Sequence, residues 1–113
     1  MKTDEILNEL VLCLKASNPY KIILFGSHAN GVATEDSDID LMVILDNNNI
    51  AKTYEERMKK KLSIRKLVRN INYKIALDIL VYSKEELRII KENGNYFIDE
   101  IERTGKILYE KTS

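Results

Sequence analysis

Residues Phe25–Val43 read FGSHANGVATEDSDIDLMV. An apolar run ends in a Gly-Ser pair, ten residues separate Ser27 from Asp38, and Asp-Ile-Asp then opens a second apolar run. Lys21–Phe25, KIILF, is short, apolar and β-branched and is ended by Gly26, so it reads as a buried strand. Ile39–Leu45 reads as a second strand. Side chains alternate across a strand, so Asp38 and Asp40 project to one side if that strand begins near Ser37, while Ile39 and Leu41 enter the core. Two like charges held side by side are costly unless a cation sits between them. Hard oxygen donors select Mg²⁺ or Mn²⁺ over zinc. Gly26 lets the backbone bend sharply and approach a ligand. A short helix starting at Ser27 would offer free N–H groups and a hydroxyl to an anion. A phosphate site facing a carboxylate pair is what phosphoryl or nucleotidyl transfer needs.

The flanking segments set this stretch in an alternating pattern. Ile6, Leu7, Leu10, Val11 and Leu14 recur at helical spacing, Thr3 can cap, Asp4 and Glu5 suit the positive end of the dipole, and Pro19 stops the helix. Asp46–Asn49 is a loop. Thr53 to about Asn70 reads as a charged helix with Tyr54, Met58, Leu62, Leu67, Val68 and Ile71 as its buried stripe. Ile75–Tyr82, IALDILVY, is a third strand, interrupted by Asp78. SKEE at Ser83–Glu86 matches a capping box that opens another helix, ended near Asn93 and Gly94. Tyr96–Arg103 is a last helix and Lys106–Tyr109 a short terminal extension. Strands alternating with helices predict an α/β (α+β) domain with a small central sheet whose strand order this pattern does not give.

Asp78 supplies the third acid. A carboxylate in the middle of an apolar strand is expensive to bury unpaired, and it is explained if it joins the same cluster from a neighbouring strand. Two-metal sites hold their ions about 3.5–4 Å apart and need a bridging set of carboxylates. Taken singly, EDSDID is an acidic turn, Gly-Ser is common in turns, and Asp78 fits the surface of an edge strand. The full set at this spacing is far more specific.

At 113 residues the chain suits one domain, residues 1–113. It has 18 basic and 18 acidic side chains, so bulk charge argues for neither a nucleic-acid nor a membrane partner. Cys13 excludes an intrachain disulfide and falls on the apolar side of the first helix, where packing is expected. The acidic start MKTDEILNEL does not resemble a signal peptide, and no apolar run reaches the roughly 20 residues that span a bilayer. A cytoplasmic protein is the simplest expectation. Charge is nonetheless uneven: Lys52–Lys74 holds nine cations against two acids, Glu55 and Glu56. This is either a solvated helix face or a docking surface for an acidic partner or RNA. The basic core lacks interleaved aromatics, which favours a protein and argues against direct nucleic-acid binding.

Gly26, Ser27, Asp38, Asp40 and Asp78, with Gly31, Ala33 and SDIDL at Ser37–Leu41, resemble the minimal nucleotidyltransferases of the DNA polymerase beta superfamily. The resemblance covers nearly the whole chain. It implies a nucleotidyltransferase fold with a mixed sheet, two Mg²⁺ ions (or Mn²⁺), and ATP as substrate. By the same resemblance Ser27, helped by Gly26, would hold the triphosphate. Asp38 and Asp40 would bind the metals, and Asp78 would ligate one metal and activate the acceptor hydroxyl. Small members look like antitoxins encoded beside HEPN-domain ribonuclease toxins, which they silence by transferring AMP to a tyrosine. One position departs from the pattern: many relatives carry Arg where this chain has Asn30, which removes a positive charge near the phosphates. His28 either touches a phosphate or lies on the surface. Three functions follow as expectations: such an antitoxin, a non-catalytic antitoxin acting by contact alone, and a small-molecule transferase, for which the chain has little room to build an acceptor pocket.

Overall fold

The computed structural model describes residues 3–34 and 36–112. Four strands form one mixed sheet in the order β3-β2-β1-β4, where β1 is Pro19–Phe25, β2 Ile39–Leu45, β3 Leu77–Ser83 and β4 Lys106–Glu110. β1 pairs antiparallel with β2 and with β4, while β2 and β3 run parallel. A parallel pair needs a crossover, and the helices α3 (Tyr54–Leu67) and α4 (Arg69–Asn72) supply it.

The alternation of β2 divides the core into two layers. Ile39, Leu41, Val43 and Leu45 pack with Leu10 and Leu14 of α1 (Thr3–Leu14) and with Ile64, Val68 and Ile71. Met42 and Ile44 face the other way, joining Ile23 and Phe25 under Leu87 of α5 (Lys84–Glu92) and Ile98 and Ile101 of α6 (Tyr96–Thr104). Asp40 shares the Met42 face and so lies on the α5–α6 side, near the end where β2 begins.

Both caps formed by Thr53 and Ser83 are full capping boxes, closed by Glu56 and Glu86. Glu86 does more than cap. Its carboxylate accepts from the Ser83 and Ala51 backbone N–H groups and from Lys60 Nζ. It thereby joins α5 to α3 and to the loop before α3. Burial pushes its pKa up, but the hydrogen bond from Lys60, followed by those from Ser83 and Ala51, outweighs it and the net direction is down. A depressed carboxylate stabilises the fold above its unfolded value and loses that contribution as pH falls through the folded value. Glu86→Ala is expected to cost about 2–3 kcal/mol. In thermal melts, Glu86→Gln is expected to trail the wild type near neutral pH, with the gap closing as pH falls below the ordinary glutamate value of 4.5.

Gly105 ends α6 and turns the chain into β4. A Cβ there would meet the Ile101 carbonyl at 2.5 Å, Ile23 Cγ2 at 2.6 Å and the Leu24 carbonyl at 2.9 Å. Only a residue without a side chain lets α6 and β4 close this tightly on β1.

Several boundaries and one helix face differ from the sequence expectation. β1 starts at Pro19, because a proline fits the first position of a strand. β3 starts at Leu77, after Ile75 and Ala76. Residues 106–110 are not merely an extension but the edge strand β4. The helix expected to run to Asn70 breaks at Val68, and Tyr54 and Leu62 of its supposed buried stripe face solvent, with Ile64 entering the core instead. Cys13 is partly buried against the α1 side of the core, as its spacing suggests. Among the described residues no helix is long and apolar enough to cross a membrane.

Candidate active site

Register assembles the site. Asp40 is the Cα partner of Phe25 across β1–β2 and of Asp78 across β2–β3. Phe25, Asp40 and Asp78 therefore form one lateral row on one face of the sheet. Asp38 sits one residue before β2, whose ladder opens with the Ile39 N–H donating to the Ala76 carbonyl at 3.0 Å. The strand opens at Ile39, where the sequence places it, and the charges of both Asp38 and Asp78 reach Asp40.

Asp40 is partly buried, whereas Asp38 and Asp78 are exposed. The sequence argument for Asp78, that burial demands a partner, does not apply. Its position in the register carries the assignment instead. Burial pushes the Asp40 carboxyl above the ordinary aspartate range, the charges of Asp78 and Asp38 push it further, and His28 pulls it back.

Gly26 closes the row from the β1 side. Its φ of 75° lies where side-chain-bearing residues are strained, and a Cβ would stand 2.1 Å from Asp40 Oδ2. The helix α2 (Ser27–Asn30) begins at the next residue, with the Ala29 and Asn30 N–H groups donating to the Gly26 carbonyl. The first-turn N–H groups of Ser27 and His28 have no acceptor within the helix, so the turn presents donors and a hydroxyl beside the acid row. Asn30 is exposed at the end of α2.

Two neighbours flank the row: His28, for which the sequence left phosphate contact and the surface both open, and Phe97, which no local pattern pointed to. His28 Nε2 lies 3.2 Å from the Ser37 carbonyl and donates to it, tying α2 to the segment that delivers Asp38. Phe97, in the first turn of α6, stacks edge-on against Phe25 with centroids 5.8 Å apart and remains 53% exposed. It extends the row into an aromatic wall, and nothing in the sequence joins residues so far apart. A groove of about 570 Å³ lies elsewhere, lined by Tyr20, Ile44, Lys84, Leu87 and Arg88 toward the opposite end of the strands. The acids occupy an open rim, which suits a large, highly charged substrate better than an enclosed cavity does.

Residues 8–113 match the family described as "Polymerase beta, Nucleotidyltransferase". MJ0604 of Methanocaldococcus jannaschii, named as a candidate protein adenylyltransferase, is 32% identical over 96% of this chain and 100% of its own length. A crystal structure of a candidate nucleotidyltransferase from Sulfolobus solfataricus aligns with a TM-score of 0.61 at 17% identity, covering 95% of this chain and 79% of that one. A toxin–antitoxin crystal structure with AMP-PNP aligns with a TM-score of 0.56 at 19% identity, covering 94% and 74%. At such identities these structures establish the fold. The near-complete family match and the full-length relative establish more: the chain belongs to the polymerase beta nucleotidyltransferase family and is a nucleotidyltransferase.

Proposed function

We propose that this chain, as one domain over residues 1–113, is an antitoxin that transfers AMP from ATP to a tyrosine hydroxyl of a HEPN-domain ribonuclease toxin. The observation that carries the chemistry is the row Gly26–Asp40–Asp78 with Asp38 beside it. Support for a protein acceptor comes from the name of MJ0604, and support for ATP and a toxin from the AMP-PNP structure.

The donor set fits a hard divalent cation such as Mg²⁺ or Mn²⁺, because it is all carboxylate and Asp40 already bears the electrostatic strain of two like neighbours. Among the described residues no three acids converge tightly enough to enclose an ion unaided. Asp38, Asp40 and Asp78 would therefore hold it together with phosphate oxygens of the nucleotide, as is usual for Mg²⁺. Bound there, it would offset charge on the triphosphate and acidify the attacking hydroxyl. The Ser27 hydroxyl and the first-turn N–H groups of α2 would hold the phosphates, and Gly26 gives them room. Asp78, exposed at the edge strand, would orient the acceptor hydroxyl and take its proton. The phenol oxygen bonds to the α-phosphorus as the bond to pyrophosphate breaks, so one AMP moves and pyrophosphate leaves.

A second reading, neutralisation by contact alone, is favoured by Asn30, which stands where many relatives carry a cation. The two separate in a toxin-rescue assay. Asp38→Asn/Asp40→Asn is expected to leave the toxin's ribonuclease activity unchecked while still binding it. Full neutralisation by that variant would rule out catalysis as the mechanism.

A further inference from the structure

Tyr54, Met58 and Leu62 recur at i, i+4 and i+8 on α3 and so form one stripe, about 12 Å long. Their spacing is that of a core seam, yet Tyr54 is 67% and Leu62 49% exposed, and Met58 is only partly covered. α3 meets the sheet through a different side, at Ile64. Arg57, Lys61 and Arg65 follow the same spacing along one flank of the stripe, Lys59 stands on the other one turn after Glu55, and Lys66 follows Leu62 at the stripe's end. Of the nine cations between Lys52 and Lys74, only Lys60 is ion-paired among the described residues. Glu56, one of the two acids, is engaged in the capping box.

An apolar strip bordered by a row of unpaired cations on one side, by Lys59 on the other and by Lys66 at its end is complementary to a surface with an apolar centre and an acidic border. A second copy of this chain would oppose like charges across the seam. RNA would need rings for stacking, and the centre of the strip is aliphatic, with Tyr54 only at its end. A membrane would need a longer apolar face than three residues. α3 also lies beside the edge strand β3: Arg57 and Lys61 line a cleft with Leu80 and Tyr82. A partner seated on α3 would flank the strand that carries Asp78 without covering the acids.

We infer that this face of α3 docks an acidic protein surface. That the docked protein is the acceptor of the nucleotidyl group rests on the function proposed above. The test uses the full chain and a purified HEPN-domain toxin, the partner class that the proposed function assigns to it. Leu62→Asp weakens toxin binding at least about tenfold. Lys59→Glu/Lys66→Glu weakens it similarly and flattens its salt dependence. For both, KM for the toxin rises, while kcat at saturating toxin and the affinity for ATP stay at wild-type values. Because these side chains are exposed, melting temperatures stay within about 2 °C of wild type. Wild-type toxin affinity in both variants overturns the inference, as does a wild-type chain that does not bind the toxin. Loss in the variants of binding to a short fluorescent RNA, rather than to the toxin, also overturns it. A toxin complex that depends on α3 but transfers no AMP leaves the docking face standing and removes the catalytic reading. Transfer that ignores both variants does the reverse.

Discussion

Asp40→Asn will lower nucleotidyl transfer by at least about 10³-fold and will at the same time raise the melting temperature by about 2–4 °C at neutral pH. The two effects have one origin. Asp40 is partly buried between Asp38 and Asp78, and burial first, then those two charges, raise its pKa in the folded protein. A carboxyl whose folded pKa lies above its unfolded value contributes stability that is fully present below that unfolded value, 3.8, and lost as pH rises through the folded value. At neutral pH the ionised group therefore burdens the fold. The amide keeps the shape and removes the charge. Its stabilising effect should vanish in melts run at acid pH, where wild-type Asp40 is itself protonated. If Asp40→Asn were less stable than wild type at neutral pH, the burial of this charge beside two like neighbours would not govern its effect on the fold.

Gly26→Ala is the second large effect. The alanine methyl would have to sit 2.1 Å from Asp40 Oδ2, in a backbone conformation with φ of 75°. Both penalties fall on the site. A φ of 75° with a ψ of −153° is a conformation essentially reserved for glycine and costs a side-chain-bearing residue about 1–3 kcal/mol, and displacing Asp40 by about 1 Å costs about 10²-fold in rate. The expected result is a drop of that order in transfer with a destabilisation of about 1–3 kcal/mol. A double-mutant cycle separates the causes. In an Asp40→Ala background the clash is gone, so Gly26→Ala should cost only the backbone share. Equal costs in both backgrounds would show that the close approach of Gly26 to Asp40 does not matter.

The chemistry was legible in the sequence because it depends on local order. Gly-Ser after a strand, and Asp-x-Asp opening the next, are fixed by neighbours along the chain. β2 and the Ser83 capping box fell where period and cap residues put them. What failed to show was anything set by tertiary pairing. Asp78 was singled out for a burial it does not have, and its place beside Asp40 comes from the parallel register of β2 and β3. Phe97 reaches Phe25 only because α6 folds back over β1. The α3 stripe misled for a physical reason. Tyr54, Met58 and Leu62 have the period of a buried face, and period alone cannot tell a face that meets its own core from one left outward. Residues 106–110 read as an extension because an edge strand of mixed polarity lacks the continuous apolar run of β1 and β2.

If these acids move AMP onto a protein tyrosine, the transfer is visible in the mass of the acceptor. The most direct measurement is the intact mass of the HEPN-domain toxin after incubation with this chain, ATP and Mg²⁺, followed by peptide mapping of the modified residue. A gain of AMP on a tyrosine is expected, and it disappears with Asp38→Asn/Asp40→Asn and with omission of the divalent cation. An unmodified toxin, recovered in a stable complex with the wild-type chain and ATP, would contradict it.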